Sequence, residues 1–127
     1  MARELTMNGN AKLKTIKKEF NNRFPYIRLS IYDLSEKGKS TKTPLDAEKT
    51  ISEVRTVKSS DSVTIRGGQK VSNLEKMMEK TFGLYCQVAY TTKSGDRYYT
   101  SGNLDDMTLR DINKLGEKDG WKKDIAN

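Results

Sequence analysis

Apolar residues recur with two different periods, which predict a short strand followed by a helix in each half of the chain. Leu5 and Met7 alternate with polar neighbours, as do Val63 and Ile65, and this period of two indicates half-buried strands. A glycine follows each strand, and the next apolar residues are spaced by three and four, which is typical of one helix face. The two helical stripes consist of Leu13, Ile16, Phe20 and Phe24, then Val71, Leu74, Met78 and Phe82.

Residues that are typical of helix ends stand at the boundaries of the predicted helices. Ser72 and Glu75 have the spacing of a capping box, and Pro25 and Gly83 stand where helices normally end. The remaining predicted elements are a second strand at 27–33 and at 84–91, a turn at 35–39 and at 92–96 that leads to a third, more polar strand, and a closing short helix at 50–55 and at 108–115. Each half therefore reads strand–helix–strand–strand–short helix.

The two halves also match each other position by position. When the chain is shifted by 58 residues, apolar positions fall on apolar positions in the same order over most of the unit. The matched stretches are Leu5–Gly9 on Val63–Gly67, Lys12 on Lys70, Tyr32 on Tyr90, and Thr50 with Ile51 on Thr108 with Leu109. The second strand aligns at an offset of 57, which keeps the same face of the strand apolar. This pattern predicts a tandem duplication.

A unit of about 58 residues buries too little surface to be stable alone, so we expect the two repeats to share one core. The predicted architecture is a single α+β domain, residues 1–127, with pseudo-two-fold symmetry and helices on one face of a mainly antiparallel sheet. Repeat 1 covers 4–58, repeat 2 covers 62–115, and 116–127 form a polar C-terminal tail. The segment from Ser59 to Asp61 is expected to be a turn. Trp121 either docks onto the domain, as we expect, or is exposed for a partner.

The composition excludes several classes of chemistry. The chain has 127 residues, no histidine and one cysteine. A Ser-His or Cys-His nucleophile pair, an intrachain disulfide and a conventional Cys/His zinc site are therefore impossible. Asp105, Asp106 and Asp111 lack calcium-loop spacing, and an aspartate before Thr108 is better interpreted as a helix cap. We predict a protein that is not an enzyme and needs no metal or cofactor.

Apolar content gives no indication of a membrane segment. No apolar run approaches the ~18–20 residues that cross a bilayer, and Met1–Asn10 lacks the apolar stretch of a signal peptide. Cys86 alternates with Leu84 and Val88, so we expect it to be buried, inert and reduced. Met77, Met78 and Met107 are interpreted as core residues. The expected location is the cytoplasm.

Positive charge is concentrated in the first half. Residues 1–58 carry 13 basic and 7 acidic side chains, a net charge of +6, whereas residues 59–127 carry 11 and 10. A basic helix can follow a phosphate backbone without reading bases, although a solvated surface is the alternative interpretation. The sequence therefore predicts weak, backbone-directed binding of nucleic acid or another polyanion. The residues predicted to bind it are Lys12, Lys14, Lys17, Lys18, Arg23 and Arg28.

Two glycine-containing loops are candidate anion sites. Each places glycine and lysine between a strand and the start of a helix, where backbone N–H groups attract anions. The candidate residues are Gly9 and Lys12 in the first half, and Gly67, Gly68 and Lys70 in the second. Neither loop has the spacing of a known nucleotide-binding fingerprint, and the alternative is that glycine simply turns the chain.

Tyrosines near the second and third strands of repeat 2 suggest a stacking surface with Arg97, or ordinary packing within a sheet. They are Tyr85, Tyr90, Tyr98 and Tyr99. Since Tyr98 and Tyr99 are adjacent, they are expected on opposite faces. The alternative function is a protein-interaction or self-association module, in which exposed sheet edges bind a protein partner or a second copy.

Overall fold

Helices and antiparallel strands alternate in the computed structural model, which describes residues 4–39, 42–58, 61–100 and 102–123. The fold is therefore α+β, as predicted. The named elements are β1 (Leu5–Met7), α1 (Leu13–Arg23), β2 (Arg28–Asp33), α2 (Ile51–Val54), β3 (Val63–Ile65), α3 (Val71–Phe82), β4 (Leu84–Thr91), β5 (Arg97–Tyr99) and α4 (Leu109–Asp119). Short 3-10 helices cover Leu34–Glu36 and Gly102–Asp106.

The strands form two separate sheets, which differs from the single sheet that we predicted. β1 pairs with β3, and β2, β4 and β5 form a second sheet in that order. All three pairings are antiparallel. The alternation of apolar residues predicts which segments are strands, but pairing depends on contacts between distant parts of the chain. The local pattern therefore does not separate one sheet from two.

Two of the pairings join the first half of the chain to the second. In the smaller sheet, Thr6 lies opposite Thr64, and their hydroxyl oxygens are 3.0 Å apart. In the larger sheet, Ser30 lies opposite Gln87. Each half thus supplies strands that pair with the other half in both sheets.

The predicted third strand is present in the second half, as β5, but the described residues 42–58 contain no strand in the first half. There the Leu45 N–H donates to the Ile31 carbonyl at 3.3 Å, and the chain then turns away. This single backbone hydrogen bond is where the first half departs from the second, in which β5 pairs with β4 over three residues.

Helix ends follow capping rules at positions that differ in part from the prediction. α3 begins at Val71, before Ser72, so the predicted capping box at Ser72 is wrong. A capping box is instead formed by Thr50 and Glu53 at the start of α2. Gly83 ends α3 in a left-handed conformation with φ 65°, as its position predicted.

The apolar stripes of the helices and one face of each sheet form one buried cluster that extends from Leu5 to Trp121. Trp121 is 9% exposed and stacks on Tyr90 with ring centroids 4.1 Å apart, which confirms that it docks. The predicted tail is corrected in part, because residues 116–119 belong to α4. The predictions for Ser59, Ser60 and residues 124–127 lie outside the described residues.

Gly116 provides a test of this packing. A Cβ at this position would lie 2.6 Å from Trp121 Cε3 and 2.8 Å from Tyr26 Cβ. We expect Gly116→Ala to lower the free energy of unfolding by about 1–3 kcal/mol through overpacking. An open helix site would instead gain about 1 kcal/mol from the same change. Urea denaturation followed by circular dichroism measures the sign, with the exposed Lys118→Ala in the same helix as control. A stabilised Gly116→Ala would contradict the docking of Trp121.

Candidate nucleic-acid interface

Each glycine loop is held by the start of a helix that comes later in the same half of the chain. The Ser52 N–H donates to the Gly9 carbonyl, and the Arg110 N–H donates to the Gly67 carbonyl, both at 2.9 Å. The side chains of Ser52 and Arg110 therefore lie directly against the glycines. The residue at this helix position determines the chemistry of each loop.

The second loop forms a groove of about 510 Å³, which we call the diglycine groove. Its lining consists of Glu4, Arg66, Gly67, Gly68, Gln69, Asn73, Met77 and Arg110. A Cβ at Gly67 would lie 3.3 Å from Arg110 Nε, so the guanidinium packs over the bare backbone of this loop. Gln69 adds a polar atom, since its buried Oε1 has no hydrogen-bond partner.

Two arginines give the diglycine groove its positive charge. Arg66 Nε lies 3.2 Å from Glu4 Oε1, so its charge is partly offset, although both side chains are 62% exposed. Arg110 is exposed and has no acidic partner within 4 Å among the described residues. Guanidinium groups match phosphate oxygens in bidentate geometry, so each of these arginines is suited to a phosphate group or a carboxylate.

The first glycine loop differs from the diglycine groove in the residues that flank it. Asn8 and Ser52 occupy the positions that correspond, 58 residues earlier, to Arg66 and Arg110. The Ser52 side chain fills the space above Gly9. The first loop thus has neutral side chains where the second has arginines.

The predicted loop lysines lie beside the loops and not in the diglycine groove. Lys12 and Lys70 stand immediately before α1 and α3, and each forms a β-bridge, to Thr50 and Thr108 respectively. Lys70 is exposed and is not part of the groove lining. Gly67 and Gly68 do line the diglycine groove. Of the predicted anion-site residues, only these two glycines lie in it.

Acidic residues neutralise a large part of the predicted basic surface of α1. Lys12 and Lys14 both lie near Glu48, with nitrogen–oxygen distances of 3.7 and 2.9 Å. Arg23 pairs with Glu19 at 2.7 Å. Glu48 is 34 residues from Lys14 in the sequence. A charge count along the helix alone could not reveal its contribution.

The other three predicted basic residues divide between two environments. Lys17 and Arg28 are close neighbours and are partly buried, and burial together with the Arg28 charge lowers the pKa of the Lys17 ammonium. Lys18 is exposed and has no acidic partner within 4 Å in the described part of the chain. Among these residues, Lys18 is the most available for an anion.

Sequence reasoning missed a basic row on α4. Arg110, Lys114 and Lys118 are four residues apart on one side of the helix, and all three are exposed. The row begins at the diglycine groove. The sequence did contain a signal for the groove arginines. Arg66 and Arg110, which flank the second glycine loop, match the neutral Asn8 and Ser52 of the first half, so the two loops differ in charge.

The tyrosines divide between the two faces of the larger sheet, which confirms the predicted opposition of Tyr98 and Tyr99. The Tyr98 ring lies 5.7 Å from the Tyr90 ring, on the side that packs against Trp121. The Tyr99 hydroxyl lies 2.9 Å from the Tyr32 hydroxyl on the other side. Burial and the bond to Tyr99 raise the pKa of Tyr32 to about 12, so it stays neutral at physiological pH.

An acidic pair lies beside the larger sheet. Burial, together with the nearby Asp105 carboxylate, raises the pKa of the half-buried Glu75 to about 7, and Lys37 partly opposes this effect. Asp105 Oδ1 is buried without a hydrogen-bond partner.

The Thr108 side chain, and not an aspartate, caps α4 by accepting from the Asp111 N–H at 3.2 Å, so the predicted aspartate cap is wrong.

The predicted burial of Cys86 and packing of the three methionines are confirmed. Cys86 is fully buried, and burial raises the pKa of its thiol, so it remains protonated. Met78 is buried, and Met77 and Met107 pack against the core.

Among the described residues, no three potential metal-ligating side chains come together, and no helix has the length and apolarity needed to span a membrane.

Comparison of the chain with protein-family models, with curated proteins and with solved structures gives no match.

The acidic pair predicts how stability depends on pH. The pKa of Glu75 rises on folding from about 4.5 to about 7. Its protonated form therefore stabilises the fold below pH 4.5, and this stabilisation is lost as the pH rises through 7. Glu75→Gln imitates the protonated form. We expect it to increase the free energy of unfolding by about 1 kcal/mol at pH 8.5, a value discounted for solvent exposure, and by little at pH 4.

Urea titrations at both pH values measure this difference. Glu79→Gln is the matched control, because Glu79 lies on the same helix but forms an ion pair with Lys37 at 2.9 Å. If Glu75→Gln changed the free energy of unfolding equally at pH 4 and pH 8.5, the pKa of Glu75 would not be raised by folding.

Proposed function

We propose that this protein binds the phosphate backbone of nucleic acid and catalyses no reaction. The observation that carries the proposal is the diglycine groove, where Arg66 and Arg110 flank the bare backbone of Gly67 and Gly68. Two exposed guanidinium groups that line one groove suit a phosphate group, which accepts hydrogen bonds from guanidinium N–H groups. A cytoplasmic location, expected from the reduced Cys86, belongs to the same proposal.

The basic row on α4 extends phosphate binding from the diglycine groove along a nucleic-acid strand. Lys114 and Lys118 follow Arg110 at successive helix turns, about 6 Å apart, which is close to the spacing of phosphates along a strand. Such contacts carry no sequence information, so the expected binding is weak, salt-dependent and tolerant of sequence.

The predicted basic residues of α1 take a secondary role. Lys18 is exposed, and Lys14 retains 46% of its side-chain exposure beside Glu48. A phosphate that approaches Lys14 must compete with this carboxylate. We therefore assign more of the affinity to Arg66 and Arg110 than to the helix predicted from the charge count.

We also infer that the chain arose by tandem duplication and has pseudo-two-fold symmetry. Support comes from the strand registers, since Thr6 lies opposite Thr64 and Ser30 opposite Gln87, and these are the residues matched by the sequence offsets. Hydrogen bonds also recur 58 residues apart in the two glycine loops. On this interpretation, the two copies of the loop diverged in charge at the positions of Arg66 and Arg110.

A second candidate function is protein interaction at the edge of the larger sheet. Tyr98 and Tyr99 are 49% and 44% exposed on β5, which pairs only with β4 among the described strands. Open edges with large side chains favour addition of a partner strand or a second copy. Such a complex would be largely insensitive to salt and would not depend on Arg66 or Arg110.

Binding measured at several salt concentrations tests the proposal. We expect a labelled 20-base-pair duplex to bind in 50 mM salt, with an affinity that falls linearly on a log–log plot as salt rises. Arg66→Gln combined with Arg110→Gln should weaken binding about tenfold or more at 50 mM and reduce the slope by about 2. Fluorescence anisotropy measures both quantities.

Lys76→Gln combined with Lys80→Gln is the charge-matched control. Both residues lie on α3 and neither lines the diglycine groove. Equal losses in the two double variants would indicate that only net charge matters. Absence of binding by the wild-type protein in 50 mM salt would refute the proposed function, and a salt-insensitive increase in mass by light scattering would favour the sheet edge.

A further inference from the structure

The face of the larger sheet that points away from the core carries a tyrosine cluster. Strand alternation places Leu84, Cys86 and Val88 in the core and Tyr85 on the other face. Tyr32 lies opposite Tyr85 on the neighbouring strand. We call the cluster of Tyr32, Tyr85 and Tyr99 the outer tyrosine face.

Contacts between the three rings hold the outer tyrosine face together. The Tyr32 and Tyr85 ring centroids are 5.9 Å apart at an interplanar angle of 35°. The Tyr99 hydroxyl reaches the Tyr32 hydroxyl at 2.9 Å, across the central strand of the sheet. Tyr32 is only 2% exposed, whereas Tyr99 is 44% exposed. The cluster is ordered by its own contacts and still presents Tyr99 to solvent.

Cationic side chains lie on the Tyr99 part of the outer tyrosine face. Lys42 Nζ lies 6.0 Å from the centre of the Tyr99 ring. Arg97 is two residues before Tyr99 on β5, and Arg28 is four residues before Tyr32 on β2, so alternation places both arginines on the same face as the tyrosines. The Glu75 and Asp105 carboxylates lie on the Tyr85 side. A negatively charged ligand is therefore favoured near Tyr99 and disfavoured near Tyr85.

We propose that the outer tyrosine face binds unstacked bases of single-stranded nucleic acid, with Tyr99 as the principal stacking ring. Aromatic side chains next to cations bind single strands of many sequences, because every base offers a π-face and every nucleotide carries a phosphate. A duplex keeps its bases stacked within the helix and cannot present them to Tyr99. This inference rests on the proposed function and extends it by naming the preferred form of nucleic acid.

The adjacent tyrosine provides a matched control. Tyr98 is exposed to a similar degree, but it faces Tyr90 on the other side of the sheet. In 50 mM salt we expect Tyr99→Ala to weaken binding of a labelled 20-nucleotide oligothymidylate about tenfold and Tyr98→Ala by less than about twofold. Tyr99→Phe removes the hydroxyl contact and keeps the ring, so it should bind within about twofold of the wild type. Duplex affinity should change in none of the three variants.

Far-ultraviolet circular dichroism reports whether each variant is folded, because Tyr98 contacts the Tyr90 ring that stacks on Trp121 and its removal would itself alter the fluorescence of Trp121. Equal losses for Tyr99→Ala and Tyr98→Ala, loss of affinity in Tyr99→Phe equal to that in Tyr99→Ala, or equal weakening for duplex and single strand would overturn the stacking inference while leaving backbone binding intact. A protein partner lost in Tyr99→Ala, with oligothymidylate affinity unchanged, would also overturn it. Absence of binding to either nucleic acid would remove the proposed function and this inference together.

Discussion

The pairing of strands between the two halves of the chain is the constraint on which the rest of the structure depends. β1 pairs with β3, and β2 pairs with β4, so both sheets join a strand from before residue 58 to one from after residue 61. A three-residue strand has little stability by itself, and each helix buries an apolar stripe that needs a sheet beneath it. We therefore expect each half to need the other to complete its part of the core.

Because the two halves share one core, the differences that bear on the proposed function lie at positions outside that core. The core positions that match across the two halves are apolar in both, for example Leu13 and Val71. Outside the core, Arg110 stands where the first half has Ser52, and Glu75 stands where the first half has Lys17. Differences at such positions change the charge beside a loop or a sheet, while the matched core positions stay apolar. The duplication that we propose would thus provide a stable scaffold on which one copy acquired a binding groove.

Local pattern predicted the elements well, because burial of one face imposes a period on the sequence. The stripes of α1 and α3 were correct to within a residue at each end. The number of sheets was not predictable, since register between distant strands leaves no trace in local alternation. The third strand predicted for the first half is absent from the described residues 42–58, and α4 continues to Asp119, where Gly120 ends it in a left-handed conformation.

The candidate site was harder to predict than the fold, for two physical reasons. Charge counting assigned the basic surface to α1, but Glu48, on a distant loop, lies beside Lys14 in space. The reverse holds for Arg66 and Arg110, which are far apart in sequence and line one groove because α4 begins at the glycine loop. Comparison of matched positions between the halves contains this information, whereas net charge per half does not.

Native-state hydrogen exchange tests the mutual dependence of the halves most directly. We expect the slowest amides of α1 and α3, such as those of Phe20 and Met78, to exchange with the same free energy and the same dependence on denaturant. That result would mean that both halves open in one cooperative step. Exchange of α1 at a distinctly lower free energy and with a smaller denaturant dependence, while α3 stays protected, would contradict a core that both halves must complete.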